Sequence, residues 1–304
     1  MTTADPFMIR AHVPHWEASV ADYQAASAAT RQGRTVRTLV YGEHSDERLD
    51  LLVPEGPEGG PRPVHLFVHG GYWRAFSKDD HTFMAEAITA AGAIAAIMDY
   101  SLMPAARMEV LVDQVRRAAR WLRAHAAEFG GDPAALSVSG HSAGAHLASF
   151  LVCRGAHEPT VDLAPVRGVL LVSGLYDLAP ITESFVQPEL RLTAEEVAFW
   201  SPCRATPVPG SAVALVVGEK ETAPFHDQAR AFAAHLDRAG ARAHLAAVPG
   251  EDHMTIVREL GRPGTACARH LAATIRGEVV CENDRLRFAS LSSRAERSED
   301  LGSI

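Results

Sequence analysis

Three observations predict a doubly wound α/β sheet. Short apolar runs recur along the chain, helical stripes fill the gaps between them, and no linker breaks the alternation. The opening segment, residues 1–33, sets Trp16 and Tyr23 among alanines and reads as a helical arm lying on the domain. Thr35–Tyr41 and Arg48–Val53 have strand character and are expected to pair antiparallel; the turn-rich stretch Pro54–Pro63 follows them. Val64–Val68, Ala93–Met98, Leu136–Ser139, Gly168–Val172, Ala212–Val217 and Ala243–Val248 are apolar runs of the kind buried on both faces of a parallel sheet. That makes about eight strands, mostly parallel, with helices on both faces.

Between the strands, Leu111, Val115, Ala118 and Leu122 fall on one helical stripe. Phe225, Ala229, Phe232 and Leu236 form another, which Gly240 is placed to end. Leu178–Pro209 is too long for a plain connection and carries Phe185, Leu190, Leu192, Phe199 and Trp200, so a small cap is expected over residues 178–209. The chain is therefore read as a single α/β domain over residues 1–281. Residues 282–304, rich in Ser, Arg and acids, are expected to be a disordered tail.

Composition narrows the functional classes. The 304 residues are 47% hydrophobic and 22% charged, an ordinary globular balance. With 29 basic and 37 acidic residues the net charge is −8, a poor match to a nucleic-acid binder. The four cysteines, Cys153, Cys203, Cys267 and Cys281, make no CxxC pair and no zinc-ligand spacing with histidine, so no metal site is expected. Met1–Arg10 lacks a basic start followed by an apolar run, and no apolar stretch is long enough to cross a membrane. The expectation is a cytoplasmic protein acting on a small molecule, without membrane or nucleic-acid partners; a homodimer is left open.

The chemistry is signalled by Gly140-His141-Ser142-Ala143-Gly144, a GxSxG element. It follows the strand run Leu136–Ser139 and opens the apolar helix Ala145–Val152, the strand–turn–helix setting of a nucleophile elbow. The two glycines stand where strand and helix backbones crowd, and the turn lifts Ser142 to a helix N-terminus that favours negative charge. His69-Gly70-Gly71-Tyr72-Trp73 follows the strand Val64–Val68 and supplies glycines that let backbone N–H groups reach a substrate. Gly70, Gly71 and Ala143 are the expected oxyanion-hole donors; losing one such donor costs about 3–4 kcal/mol of transition-state stabilisation.

A serine alcohol needs a base, and in this arrangement the order along the chain is Ser, acid, His. His253, in Pro249-Gly250-Glu251-Asp252-His253 after the last strand run, is the expected base. Glu221, after the run Ala212–Val217, is the favoured acid, with Asp177, Glu219, Asp227 and Asp252 as rivals. His69, His141 and His146 are read as structural. Tyr72, Trp73 and Tyr176 are candidates for an aromatic substrate pocket, with Phe185, Phe199 and Trp200 either closing it or packing on the sheet. Arg74 is read as either a partner for a substrate carboxylate or a solvated surface charge.

Taken together, His69-Gly70-Gly71-Tyr72-Trp73, Gly140-His141-Ser142-Ala143-Gly144, Asp99-Tyr100-Ser101-Leu102-Met103-Pro104 and Ser173-Gly174-Leu175-Tyr176-Asp177-Leu178 resemble the kynurenine formamidase (arylformamidase) branch of the α/β-hydrolases, related to the hormone-sensitive-lipase-like esterases. The similarity spans roughly residues 60–260 in element order. It implies an α/β-hydrolase fold and a cofactor-free serine hydrolase working through an acyl-enzyme. It further implies cleavage of an aryl formamide such as N-formylkynurenine, with a carboxylesterase for small acyl or aryl esters as the alternative. The Asp99–Pro104 segment is expected to buttress the oxyanion loop. One departure is that Glu221 stands where Asp is commoner in the wider superfamily. A binding protein on this fold without catalysis would ordinarily have lost the serine or the histidine, and both remain.

Overall fold

The computed structural model describes residues 4–56, 59–159, 161–241 and 243–280. The expected tail and Cys281 lie outside them. Eight strands form one sheet: β1 (Arg37–Val40), β2 (Arg48–Leu52), β3 (Arg62–Val68), β4 (Ile94–Met98), β5 (Gly131–His141), β6 (Gly168–Val172), β7 (Ala212–Gly218) and β8 (Ala243–Val248). Their order across the sheet is β1-β2-β4-β3-β5-β6-β7-β8. β2 runs antiparallel to both β1 and β4, and every other pairing is parallel. This is the α/β-hydrolase fold.

The apolar runs become strands because both sheet faces are covered. Every residue of β4 and β6 is buried. Met84–Ala90, Thr255–Leu260 and Ala266–Arg276 pack against one another, while Met108–His125 packs on Ala143–Ser149. Leu111, Val115, Ala118 and Leu122 are fully buried on the Met108–His125 stripe, each contributing about 1.5–3 kcal/mol for the larger side chains. Phe225, Ala229, Phe232 and Leu236 are buried likewise on Ala223–Arg238, and Gly240 follows its end at φ +76°.

Two boundaries differ from expectation. β3 begins at Arg62 and β5 at Gly131, because Arg62 pairs with Gly131 across a register shift before the regular ladder starts at Val64 and Leu136. The helix after Ser142 runs from Ala143 to Ser149 and stops before Val152.

The strand order puts the C-terminal ends of β3, β5, β7 and β8 on one rim of the sheet, where their following loops meet. Residues 178–209 add short helical turns, including Ala194–Trp200, with Thr193 and Glu196 capping each other's backbone N–H groups. Arg107 grips this segment through Glu196 and the carbonyls of Leu190 and Arg191. Residues 4–33 form a short turn, Ile9–His12, and the helix Trp16–Gly33.

Candidate active site

Ser142 sits at the apex of the β5-to-helix turn with φ 54° and ψ −119°, a left-handed conformation that costs a residue with a side chain about 1–3 kcal/mol. The surrounding backbone holds it there. A side chain at Gly140 would meet the Gly144 carbonyl oxygen at 2.3 Å, and one at Gly144 would meet that of Val68 at 2.1 Å. The Ser142 N–H donates to the Val172 carbonyl at the end of β6 (2.8 Å).

Gly70 lies beside the serine: a side chain there would come within 3.2 Å of Ser142 Cβ. Gly71 has φ +108° and abuts the Ala75 carbonyl, so it too must be glycine. Tyr72, Trp73 and Phe76 in the same loop all have positive φ. The strain is held by the Asp99–Pro104 segment. The Tyr100 hydroxyl donates to the His69 carbonyl (2.9 Å), Met103 N–H donates to Trp73 O (2.8 Å), and the Asp99 carboxylate accepts from Lys78 N–H (2.7 Å). Ala143 is the first residue of its helix, so its N–H has no intrahelical acceptor.

Glu221 and His253 meet although 32 residues separate them: Glu221 Oε2 lies 2.7 Å from His253 Nδ1, and both side chains are buried. The other carboxylate oxygen accepts the Gly218 N–H (2.8 Å) and the Ser173 hydroxyl. A carboxylate accepts only, so His253 Nδ1 is the donor in this pair. The loops bearing the two residues are fastened together, since Lys220 N–H donates to Glu251 O (2.9 Å) and Glu219 N–H to Val248 O (3.0 Å). The rival acids are engaged elsewhere. Asp252 accepts from Met254 and Thr255 N–H, Asp177 from Ala179 N–H, Glu219 from Gly250 N–H, and Asp227 pairs with Arg230.

Ser142, His253, Gly70 and Gly71 line one narrow cavity of about 30 Å³. Its other walls are Tyr72, Phe76, His81, His141 and Met254, with Ile9, Trp16 and Tyr23 from the N-terminal segment. The aromatic-pocket expectation needs correction. Tyr72 lines the cavity and donates its hydroxyl to Phe7 O (2.5 Å). Trp73 does not: it is fully buried and its Nε1 donates to His146 Nδ1 (3.2 Å), because the loop's reversed backbone turns it toward the core. Tyr176 is buried too, stacked on Phe232 with ring centres 4.5 Å apart. Phe185, Phe199 and Trp200 pack against Tyr72, His157 and Phe150 in turn. Arg74 pairs with Glu189 (2.7 Å).

The histidines read as structural are all held in place. His69 stacks on Tyr100, and burial pushes its pKa down to about 3. His146 donates to Trp200 O, and burial lowers it to about 4. His141 donates from Nε2 to the His253 carbonyl (2.9 Å), and burial holds it well below the ordinary imidazole value, so its ring is tied to the His253 backbone. Ser173, His141 and the arm residues were missed as parts of the site. Ser173 is the first residue after β6, and that position, with its place in the Ser173–Leu178 segment, was the signal that could have found it.

A strained serine at an elbow, a paired imidazole and carboxylate, and glycine N–H groups beside the serine define a hydrolase of the serine type. The chain belongs to the α/β-hydrolase fold family, whose match covers residues 65–257. It is 31% identical over 263 residues to kynurenine formamidase of Danio rerio, covering 83% of this chain and 84% of that one. It is 30% identical over 267 residues to esterase LipQ of Mycobacterium tuberculosis, covering 80% and 59%. Among solved structures, a Silicibacter protein superposes with a TM-score of 0.76 at 26% identity, covering 91% of this chain and 99% of that one. Among the described residues no helix is long and apolar enough to cross a membrane.

Proposed function

We propose that the enzyme cleaves a small acyl group, formyl above all, from an aryl amine, as the kynurenine formamidases named above do by their name. The observation that carries this reading is the size of the cavity at Ser142. At about 30 Å³ it has room for roughly two waters. A formyl carbon and its oxygen fit that space.

In this reading Ser142 is the nucleophile, His253 the base and Glu221 the acid. Ser142 Oγ attacks the carbonyl carbon while His253 Nε2 takes its proton. The Glu221 carboxylate orients the ring and stabilises the imidazolium. Gly70, Gly71 and Ala143 donate N–H groups to the oxyanion. The imidazolium protonates the departing amine, the C–N bond breaks, and water then cleaves the acyl-serine by the same proton path, releasing the acid. Residues 178–209 act as a small cap, tied to the oxyanion loop by Arg74 and Glu189. The free thiols Cys153, Cys203 and Cys267 suit a reducing, cytosolic compartment.

A second reading, a carboxylesterase for small esters, is favoured by the similarity to esterase LipQ. Initial rates on N-formyl-L-kynurenine and p-nitrophenyl acetate separate the two. Strong formamide cleavage, reduced at least 1,000-fold in Ser142→Ala, is the expected result. Strong ester cleavage with a near-silent formamide would replace the first reading with the second.

A further inference from the structure

We propose that Ile9 and Trp16, in the N-terminal arm, are specificity-determining residues that set the size of the group accepted at Ser142. The inference rests on the reading of Ser142 as nucleophile and goes beyond it by giving a role to the arm, which precedes residue 65, where the family match begins. Ser142, His253 and the glycines come from loops at the sheet's rim, and Ile9 and Trp16 of the arm line the same cavity.

The cavity's lining divides by role. Ser142, His253, Gly70 and Gly71 belong to the chemistry, and the His141 ring holds the His253 backbone. Tyr72 and Phe76 are held in left-handed backbone within the strained loop. Tyr23 is buried, with its hydroxyl donated to Met254 O. Ile9, buried in the short turn Ile9–His12, and Trp16, half-buried at the start of the next helix, are the remaining arm side chains on the cavity. Each can be shortened without removing a hydrogen bond described above.

The arm is fixed where a wall would have to be fixed. The Thr222 hydroxyl, next to Glu221, donates to Pro6 O (2.8 Å). Met254, next to His253, holds Tyr23. Tyr72, next to Gly71, donates to Phe7 O (2.5 Å), and the Asp5 carboxylate accepts Phe185 N–H (2.6 Å). The wall is thus referenced to the neighbours of the acid, the base and an oxyanion glycine. Its distance from Ser142 is set by the catalytic loops themselves. A packed apolar wall rejects an added methylene by roughly 10–200-fold.

The experiment is an acyl-length series. Wild type, Ile9→Ala, Trp16→Ala and Trp16→Leu are assayed on p-nitrophenyl acetate, butyrate and hexanoate, with Ser142→Ala beside them and thermal melts for each. The expected result is a butyrate-to-acetate ratio of kcat/KM at least tenfold higher in Ile9→Ala and Trp16→Ala than in wild type, with Trp16→Leu intermediate. An unchanged ratio in folded Trp16 variants, with turnover still lost in Ser142→Ala, overturns this proposal and leaves the nucleophile reading intact. Turnover that survives in Ser142→Ala overturns both. Should Ile9→Ala fail to fold, the two variants at the half-buried Trp16 decide the matter.

Discussion

The Ser173 hydroxyl donates to Oε1 of Glu221, the carboxylate oxygen that His253 does not engage. The Glu221 carboxylate is therefore held from both sides, and Oε2 is aimed at His253 Nδ1 by a residue on a different strand end. A hydrogen bond to a charged group contributes about 1.5–3 kcal/mol. Ser173→Ala should lower kcat/KM about tenfold or more with the fold retained. Glu221→Gln should lower it about 10⁴-fold, because the amide favours the wrong imidazole tautomer. Steady-state kinetics on either substrate class checks both; equal rates for Ser173→Ala and wild type would show that Gly218 N–H suffices to aim the acid.

Gly144→Ala should be far more damaging than its size suggests. The added carbon would sit 2.1 Å from the Val68 carbonyl oxygen and 2.4 Å from that of His69, both backbone atoms. Neither can rotate away, so the helix after Ser142 must shift from β3. A loss of about 3 kcal/mol or more is expected. Denaturant melts measure it, and a variant of wild-type stability would mean that the elbow tolerates a wider turn than the one described.

Acid should destabilise the protein early. Burial lowers His65 and His69 to about 3, His81 and His146 to about 4, and His141 well below its ordinary value. Each binds its proton more weakly folded than unfolded. The stability held by the neutral rings is intact above about pH 6.5 and drains as pH falls through the window toward 4, at about 1.4 kcal/mol per pH unit for each ring. Asp99, raised to about 6 by burial, works oppositely below pH 6 and offsets one of the five. The melting temperature should fall steeply from pH 6.5 to 5. A flat profile there would mean that the rings are protonated in the folded chain.

Trp73→Phe should cost stability and leave selectivity alone. The indole is fully buried and bonds His146, so the change removes one buried hydrogen bond, about 1 kcal/mol and about 2 °C in melting temperature. The acyl-length profile should match wild type, in contrast to Trp16→Ala. A shifted profile would put the indole against substrate.

How far these features were legible from the sequence depends on how local their cause is. The elbow was legible because Gly140 answers a clash with Gly144 only four residues on, although Gly144 answers one with the distant end of β3. That Glu221 and His253 meet was legible because the order of strand ends fixes which loops meet. The destinations of Trp73 and Tyr176 were not. Both neighbour site residues in sequence, but a backbone at φ 56° reverses the direction of Trp73, and Phe232, from a distant helix, claims the Tyr176 ring. The wall formed by Ile9 and Trp16 was least legible, since they acquire their role only from sharing a cavity with residues more than fifty positions away.

The contact between Tyr23 and Met254 also places a demand on biosynthesis. Its partners are 231 residues apart, and the earlier one is made first. At about 5–20 residues per second, Tyr23 waits roughly 10–50 s for its acceptor to be translated. Until then Ile9, Val13 and Tyr23, all buried in the folded protein, have only part of their cover, such as His81 and Phe83 against the Tyr23 ring. The growing chain thus offers a sticky leading segment to chaperones and to neighbouring chains on the same message. It becomes a competent hydrolase only when the strand and loop carrying His253 arrive to receive it.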